Sequence, residues 1–423
     1  MNTERQFLPQ EDKYPAFAFV LSLFFTFFVF VRPQELFLTW YGIPFVAVLS
    51  VLILIILALA HRPIHFVPQY ALLLLIYPVA VVSGFLNGWL GEGVEQANKY
   101  ITACLIPLFI FSTVFTSIAR QKSFMWLSLL SACLFVHNGY VQQNAFDGYG
   151  WSGTGYVEDG RIRYLGIFQD PNDLGVFFMM NIPFALYFIR QANFFGKLIS
   201  TSCLSAIFYG IYMTNSRGTM LAVIGMGGLY LLLKYGSIKA IISGLIFAPI
   251  VIFTASIFRA VSTQEASAMG RLWAWWDGLE MLKANPIFGV GSNNFMEHHG
   301  RVAHNTYIQM AAELGLSGYL LWTSVLLLTL AMGFSGIMYT KHKLPEDIPE
   351  KVKAELTLCT TLFFSLCSFA MTAFFLTRHR FIVFFMIAGL LIASYQRLAK
   401  LIDDEFIIDY KKTTIRILAI AAS

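Results

Sequence analysis

Three segments carry residue types suited to anion and proton chemistry, each beside an apolar run. TNSRGTMLA (214–222) holds Arg217, AMGRLWAWWDGLEMLKANPIFGVGSNNF (268–295) holds Arg271, and RVAHNTYIQMAAELGLSGYLLW (301–322) holds His304. A guanidinium forks around a phosphate or carboxylate with parallel N–H donors, which an ammonium cannot copy. Histidine accepts a proton near neutral pH. Asn215 or Ser216 can cap the helix opening at Arg217, and a helix N-terminus offers N–H groups and a positive dipole end to an anion. In TYIQ, Thr306 and Gln309 form a capping box, so a helix starts at about Tyr307, with His304 and Asn305 just ahead of it. That dipole disfavours an imidazolium, and His304 is expected to stay neutral. Each residue also has a plainer reading: a snorkelling arginine at 217, a membrane-surface helix with an incidental arginine at 271, a satisfied loop histidine at 304.

The elements that must position these residues are membrane spans. Of the 423 residues, 57% are hydrophobic and only 13% are charged, about half the charge of a soluble domain. The continuous apolar runs exclude a β-barrel, whose strands alternate. They predict an all-α integral membrane bundle of about twelve helices, at 16–31, 37–60, 70–86, 100–119, 124–140, 174–189, 198–214, 218–233, 238–258, 316–340, 356–376 and 381–396. With the N-terminus inside, 18 of the 29 Lys and Arg residues fall on the inner side and 11 outside, the bias that cytoplasmic loops carry. Nine of the outer eleven are arginine, an excess that the rule leaves unexplained. Residues 1–423 read as one polytopic domain, with outer (periplasmic) loops at 141–173 and 259–315, the second preceding span ten, and an inner tail at 397–423. The five cysteines lie in apolar runs without metal or disulfide spacing.

This layout puts Arg217, Arg271 and His304 on one membrane face. Two forked cations beside a neutral base describe a site for transfer from a diphosphate, with the arginines holding the departing charge and the histidine deprotonating an acceptor hydroxyl. Arg301, Asn305 and Glu313 stand behind them, for charge, orientation and helix placement. GVGSNN (289–294) could cradle a phosphate or be a plain turn. Glu297, His298, His299 and His304 could ligate a divalent ion, but no HExxH or acidic triad accompanies them. No metal and no cofactor are expected, and nothing points to nucleic acid. FQDPNDL (168–174) has the form of a helix start, with Pro171 in the first turn and Asp170 or Asp173 able to meet a sugar. Gly315 and Gly318 let the chain bend before span ten.

These segments, with IFQDPNDLGVFFMMNIP, resemble the O-antigen ligase and polymerase superfamily of bacterial inner-membrane proteins over about 165–335. The most specific part is His304-Asn305 followed by Glu313, Gly315 and Gly318. The resemblance implies a metal-independent, inverting glycosyltransferase acting at the periplasmic face. Its donor would be an undecaprenyl-diphosphate-linked glycan and its acceptor a glycan or lipid A–core. Arginines matching Arg217 and Arg271 would bind the diphosphate, and the histidine matching His304 would act at the acceptor. It further implies a multi-pass inner-membrane protein with cytoplasmic termini, embedded among membrane lipids. Lipid A–core ligases, O-antigen or exopolysaccharide polymerases and protein O-oligosaccharyltransferases share these motifs; without a fused soluble domain the last is disfavoured. A transporter of bicarbonate or another small anion is the alternative from a different class. It would need ionisable residues deep in the spans, where His137 comes nearest.

Overall fold

A computed structural model describes residues 16–60, 65–236, 262–342, 348–402 and 406–422. The expected ninth span, 238–258, and Arg259 lie outside the described residues. Among those described, the chain is helical, with only two isolated bridges, Tyr149 to Gly155 and Val157 to Arg161. The helices are α1 (Ala16–Phe30), α2 (Phe45–Leu59), α3 (Pro68–Leu86), α4 (Leu90–Val114), α5 (Ile118–Asn144), α6 (Pro171–Gln191), α7 (Phe194–Thr214), α8 (Arg217–Tyr235), α9 (Ser262–Ala284), α10 (Thr306–His342), α11 (Glu350–Thr372), α12 (Ile382–Leu398) and α13 (Tyr410–Ala422). Eight of them are long and apolar enough to cross a membrane, and α1, α2 and α12 are shorter apolar helices. The chain is a multi-pass membrane protein.

Eleven expected spans coincide with these helices, with boundary shifts that have local causes. The fourth begins at Leu90 rather than 100, because the polar stretch 90–100 is itself helical, with Lys99 Nζ 2.6 Å from Glu95 Oε1. A widened π-turn at 101–105 follows. Pro107 would press on the carbonyl of Ala103 in a regular helix, and the wider turn relieves that contact. The segment expected as an inner tail is not simply a tail. Its α13 packs on α10, Ile417 is buried, and the Ile408 N–H donates to the Tyr395 hydroxyl at 2.7 Å.

Many buried hydroxyls within the spans donate to carbonyls one turn back, as Ser22 does to Ala18 (2.7 Å) and Thr26 to Ser22 (2.8 Å). They therefore cost little in an apolar setting. Buried charge within the bundle includes an ion pair. Glu355 of α11 and Arg397 of α12 form a buried fork, Nε to Oε1 at 2.8 Å and Nη2 to Oε2 at 3.0 Å, at one end of the bundle. The starts of α6, α8 and α10 and the 373–381 turn share the other end.

Candidate active site

The start of α10 is built from Asn305. Its Oδ1 accepts from the N–H groups of Tyr307 (3.0 Å) and Ile308 (3.1 Å). The capping box expected of Thr306 and Gln309 does not form, and the helix starts one residue early. Thr306 is wholly buried and faces the 373–378 turn: its N–H donates to Ala373 O (2.8 Å), its hydroxyl donates to Leu376 O (2.5 Å) and accepts from the Arg378 N–H (3.0 Å). Gln309 serves both sides of the same junction. Its Oε1 accepts from the Ala303 N–H (2.9 Å) and the Thr377 hydroxyl (3.2 Å). The residue before His304 and the residue before Arg378 are thus held by one amide.

His304 has φ 48, in the left-handed region that histidine tolerates better than most side chains. Burial, and then the Arg271 guanidinium, hold its pKa below the ordinary 6.5; Arg378 and Arg301 push the same way and Asp170 opposes them. The expected neutral imidazole is what burial and these cations favour. Arg271 reaches this position on α9, whose Trp275 Nε1 donates to Ala303 O at 3.0 Å. Ala274 and Met281 turn inward, and Gly278 lies against Ile308 and Phe295. Leu272, Trp276 and Leu279 lie on the other face, between 43% and 58% accessible.

Residues 170–173 join this group to Arg217. Asp170 caps α6, accepting from the Asn172 N–H at 2.7 Å. Asn172 Oδ1 accepts from the Ser216 hydroxyl (2.7 Å) and Arg161 Nη2 (3.1 Å), and Arg161 Nε donates to Thr214 O (3.0 Å). Ser216, rather than Asn215, caps α8, and half-buried Arg217 is its first residue. Two close contacts fix the height of that helix start. Gly175 lies against Thr219, and a Cβ at Gly218 would come 2.7 Å from Phe375 Cβ. On the far side, buried Asp173 accepts both arms of Arg378, with Nε 2.5 Å from Oδ1.

His304 therefore lies within electrostatic reach of Arg271 and Arg301, and Arg217 opens α8, tied to this group through residues 170–173. Glu313 does not join them. It is buried two turns into α10, where it accepts from Gln309 Nε2 (2.5 Å) and from the backbone N–H groups of Asn293 and Phe295. Its part is to hold the preceding loop. Arg378, Asp170, Asp173 and Gln309 were missed as a unit. LTRHRF (376–381) places two of the unexplained outer arginines in one short turn, and that was the available signal. Between them His379 is buried, its ring stacked on Tyr100 at 5.7 Å.

The GVGSNN loop is not a phosphate cradle. The N–H groups of Val290 and Gly291 donate to Ala312 O (2.9 Å) and Glu313 O (3.1 Å), while those of Leu316 and Ser317 donate to Pro286 O (2.8 Å) and Ile287 O (3.2 Å). The loop replaces the helical ladder where α10 bends at Gly315, φ 62. Gly289 and Gly315 are needed because a Cβ on either would collide with the other strand's backbone. Among the described residues no three His, Cys, Asp or Glu side chains cluster as metal ligands; His299 Nδ1 instead meets Asp277 Oδ2 at 2.5 Å.

Comparison with known proteins falls on the same region. The O-antigen ligase family model matches residues 202–323, which include Arg217, Arg271 and His304. The exopolysaccharide production protein ExoQ of Rhizobium meliloti (strain 1021) is 24% identical over 202 residues, covering 40% of this chain and 46% of that protein. The chain thus matches less than half of that relative's length. Both matches, and the all-helical, multi-span bundle around the matched segment, support the O-antigen ligase and polymerase superfamily as this chain's kin.

Proposed function

We propose that the chain transfers a glycan from an undecaprenyl-diphosphate carrier to a sugar hydroxyl, at the periplasmic face of a bacterial inner membrane with both termini cytoplasmic. The acceptor hydroxyl oxygen attacks the anomeric carbon while the bond from that carbon to the diphosphate oxygen breaks. His304 takes the hydroxyl proton. The diphosphate leaves with its charge held by Arg217 and Arg271, and Arg378 adds a third guanidinium to the same end of the bundle. Attack opposite the leaving group inverts the anomeric centre. No step calls for a metal, since guanidinium groups can supply the charge stabilisation that an ion supplies elsewhere.

The observation that carries this reading is the meeting of half-buried His304 with Arg271, Arg378 and Asp170 at the N-terminus of α10. A base kept neutral beside guanidinium groups suits proton removal coupled to departure of an anion. The test is transfer by purified protein from an undecaprenyl-diphosphate-linked glycan to a defined sugar acceptor in excess EDTA, with the product linkage read by NMR. Inverted linkage and undiminished rate are expected. A retained configuration, or activity lost in chelator and restored by one divalent ion, would overturn the mechanism.

A further inference from the structure

The end of the bundle opposite the candidate site holds a cavity. It measures about 800 Å³ and lies between α6, α8 and α11, with Phe208 of α7 at its edge. Apolar side chains form its walls, among them Met179, Pro183, Met226 and Phe364. Its limits are set by two contacts between α6 and α8. Gly175 against Thr219 closes them together above it, and Arg190 hydrogen bonds with the Tyr230 hydroxyl below. Between these points Leu186 and Phe208, 41% and 46% accessible, face outward, and a Cβ at Gly227 would meet nothing within 4 Å. The groove is therefore open to the side among the described residues.

Length and charge identify the occupant. Along α6 the lining runs from Met179 to Gln191, a helical rise of about 18 Å, close to one leaflet of a hydrocarbon core about 30 Å thick. Its charged groups gather at the bundle's end, where Arg190 and Lys353 line it and Lys234 also hydrogen bonds with Tyr230; deeper along α11 the hydroxyls of Thr357 and Thr361 bond back to Lys353 O and Thr357 O, beside apolar walls. One carboxylate opposes them. Glu350 meets Lys353 at 2.8 Å, but its side chain is 88% accessible, and such exposed pairs hold little energy. A lysine- and arginine-rimmed groove between spans, at the end carrying the charge bias, fits an anionic lipid head group.

We propose that this groove is a binding site for one anionic phospholipid of the leaflet opposite the candidate active site. Its acyl chains would lie along α6, and its phosphate would meet Arg190 and Lys353. Nothing in this assignment depends on the transfer reaction. The experiment is native mass spectrometry of the full chain purified from nanodiscs containing either phosphatidylglycerol or phosphatidylcholine. Wild type should retain one phosphatidylglycerol and little phosphatidylcholine. Arg190→Ala with Lys353→Ala should cut retention of phosphatidylglycerol about tenfold. Gly227→Trp should cut it as well, by filling the groove without touching a charge, while thermal melting shows both variants folded. Equal retention of the two lipids by wild type, or unchanged retention in both variants, would overturn the proposal. So would displacement of the lipid by soluble glycerol phosphate, which would mark a site for the anion alone.

Discussion

Two arginine–carboxylate forks, one at each end of the bundle, use the same chemistry for different ends. Glu355 and Arg397 are both sealed, at 7% and 9% side-chain accessibility, and the remaining donors of Arg397 reach Ala393 O (3.3 Å) and Gln121 Oε1 (3.2 Å). Asp173 is as deeply sealed, at 1%, but its partner Arg378 is 44% accessible and acts on His304. A guanidinium with every direction taken can only hold helices together. One whose carboxylate anchors it from behind, with its outer edge open, can also meet a ligand. Fork geometry does not separate the two cases; the accessibility of the arginine does.

Catalysis should show the widest gap between the ends. His304→Ala should lower turnover by about 10²- to 10⁴-fold, the range for loss of a general base, while donor binding survives. Arg217→Lys and Arg271→Lys should lose donor binding and turnover together, because a point charge replaces a fork. Arg397→Lys should leave turnover per folded molecule unchanged. Donor binding and turnover measured on the same purified variants test all four. If Arg397→Lys lost as much turnover as the other three, the contrast drawn from accessibility would fail.

Stability should reverse the order. Glu355→Ala strands a buried cation, which costs about 3–5 kcal/mol and should appear as a large drop in melting temperature. Asp173→Asn leaves Arg378 able to turn toward water, so the melting temperature should fall less. Turnover should fall nonetheless, because the guanidinium is no longer aimed. Equal melting losses with normal turnover in Asp173→Asn would make the Asp173–Arg378 fork structural too.

The pH profile sharpens the His304 end alone. His304 must be neutral to act as a base, and its pKa lies below 6.5 chiefly through burial and Arg271. Activity should therefore persist as pH falls through 6.5 and fade only below it. Removing a neighbouring cation raises that pKa, so Arg378→Gln should move the acid limb toward neutral pH, while Arg397→Gln leaves it in place. The smallest effect is expected at the cap: Asn305→Ala should cost about 1 kcal/mol and modestly slow turnover, read as a small melting shift. A catalytic loss as large as that of His304→Ala would give Asn305 a direct role.

The sequence by itself determined the eleven spans that fall on described residues, because hydrocarbon admits only long apolar helices with satisfied backbones; its charge bias gives an expected side for each loop. It also singled out Arg217, Arg271 and His304, whose residue types are conspicuous at helix starts. It singled out Gly315 as well, since a glycine shortly before an apolar run marks a bend. What it left open had one common cause. Asp173 and Arg378 are 205 residues apart, and no local pattern says that the start of α6 meets the turn after α11. Asn305 took the cap from Thr306 because tertiary contact with that turn claimed the threonine. The glycine loop lost its N–H groups to the α10 bend for the same reason: two backbones came close enough to bond. Local propensity and hydropathy are properties of a segment and can be read along the chain. Which donor meets which acceptor, and which guanidinium keeps an open edge, depends on helices packed from distant segments, and only the tertiary structure decided it.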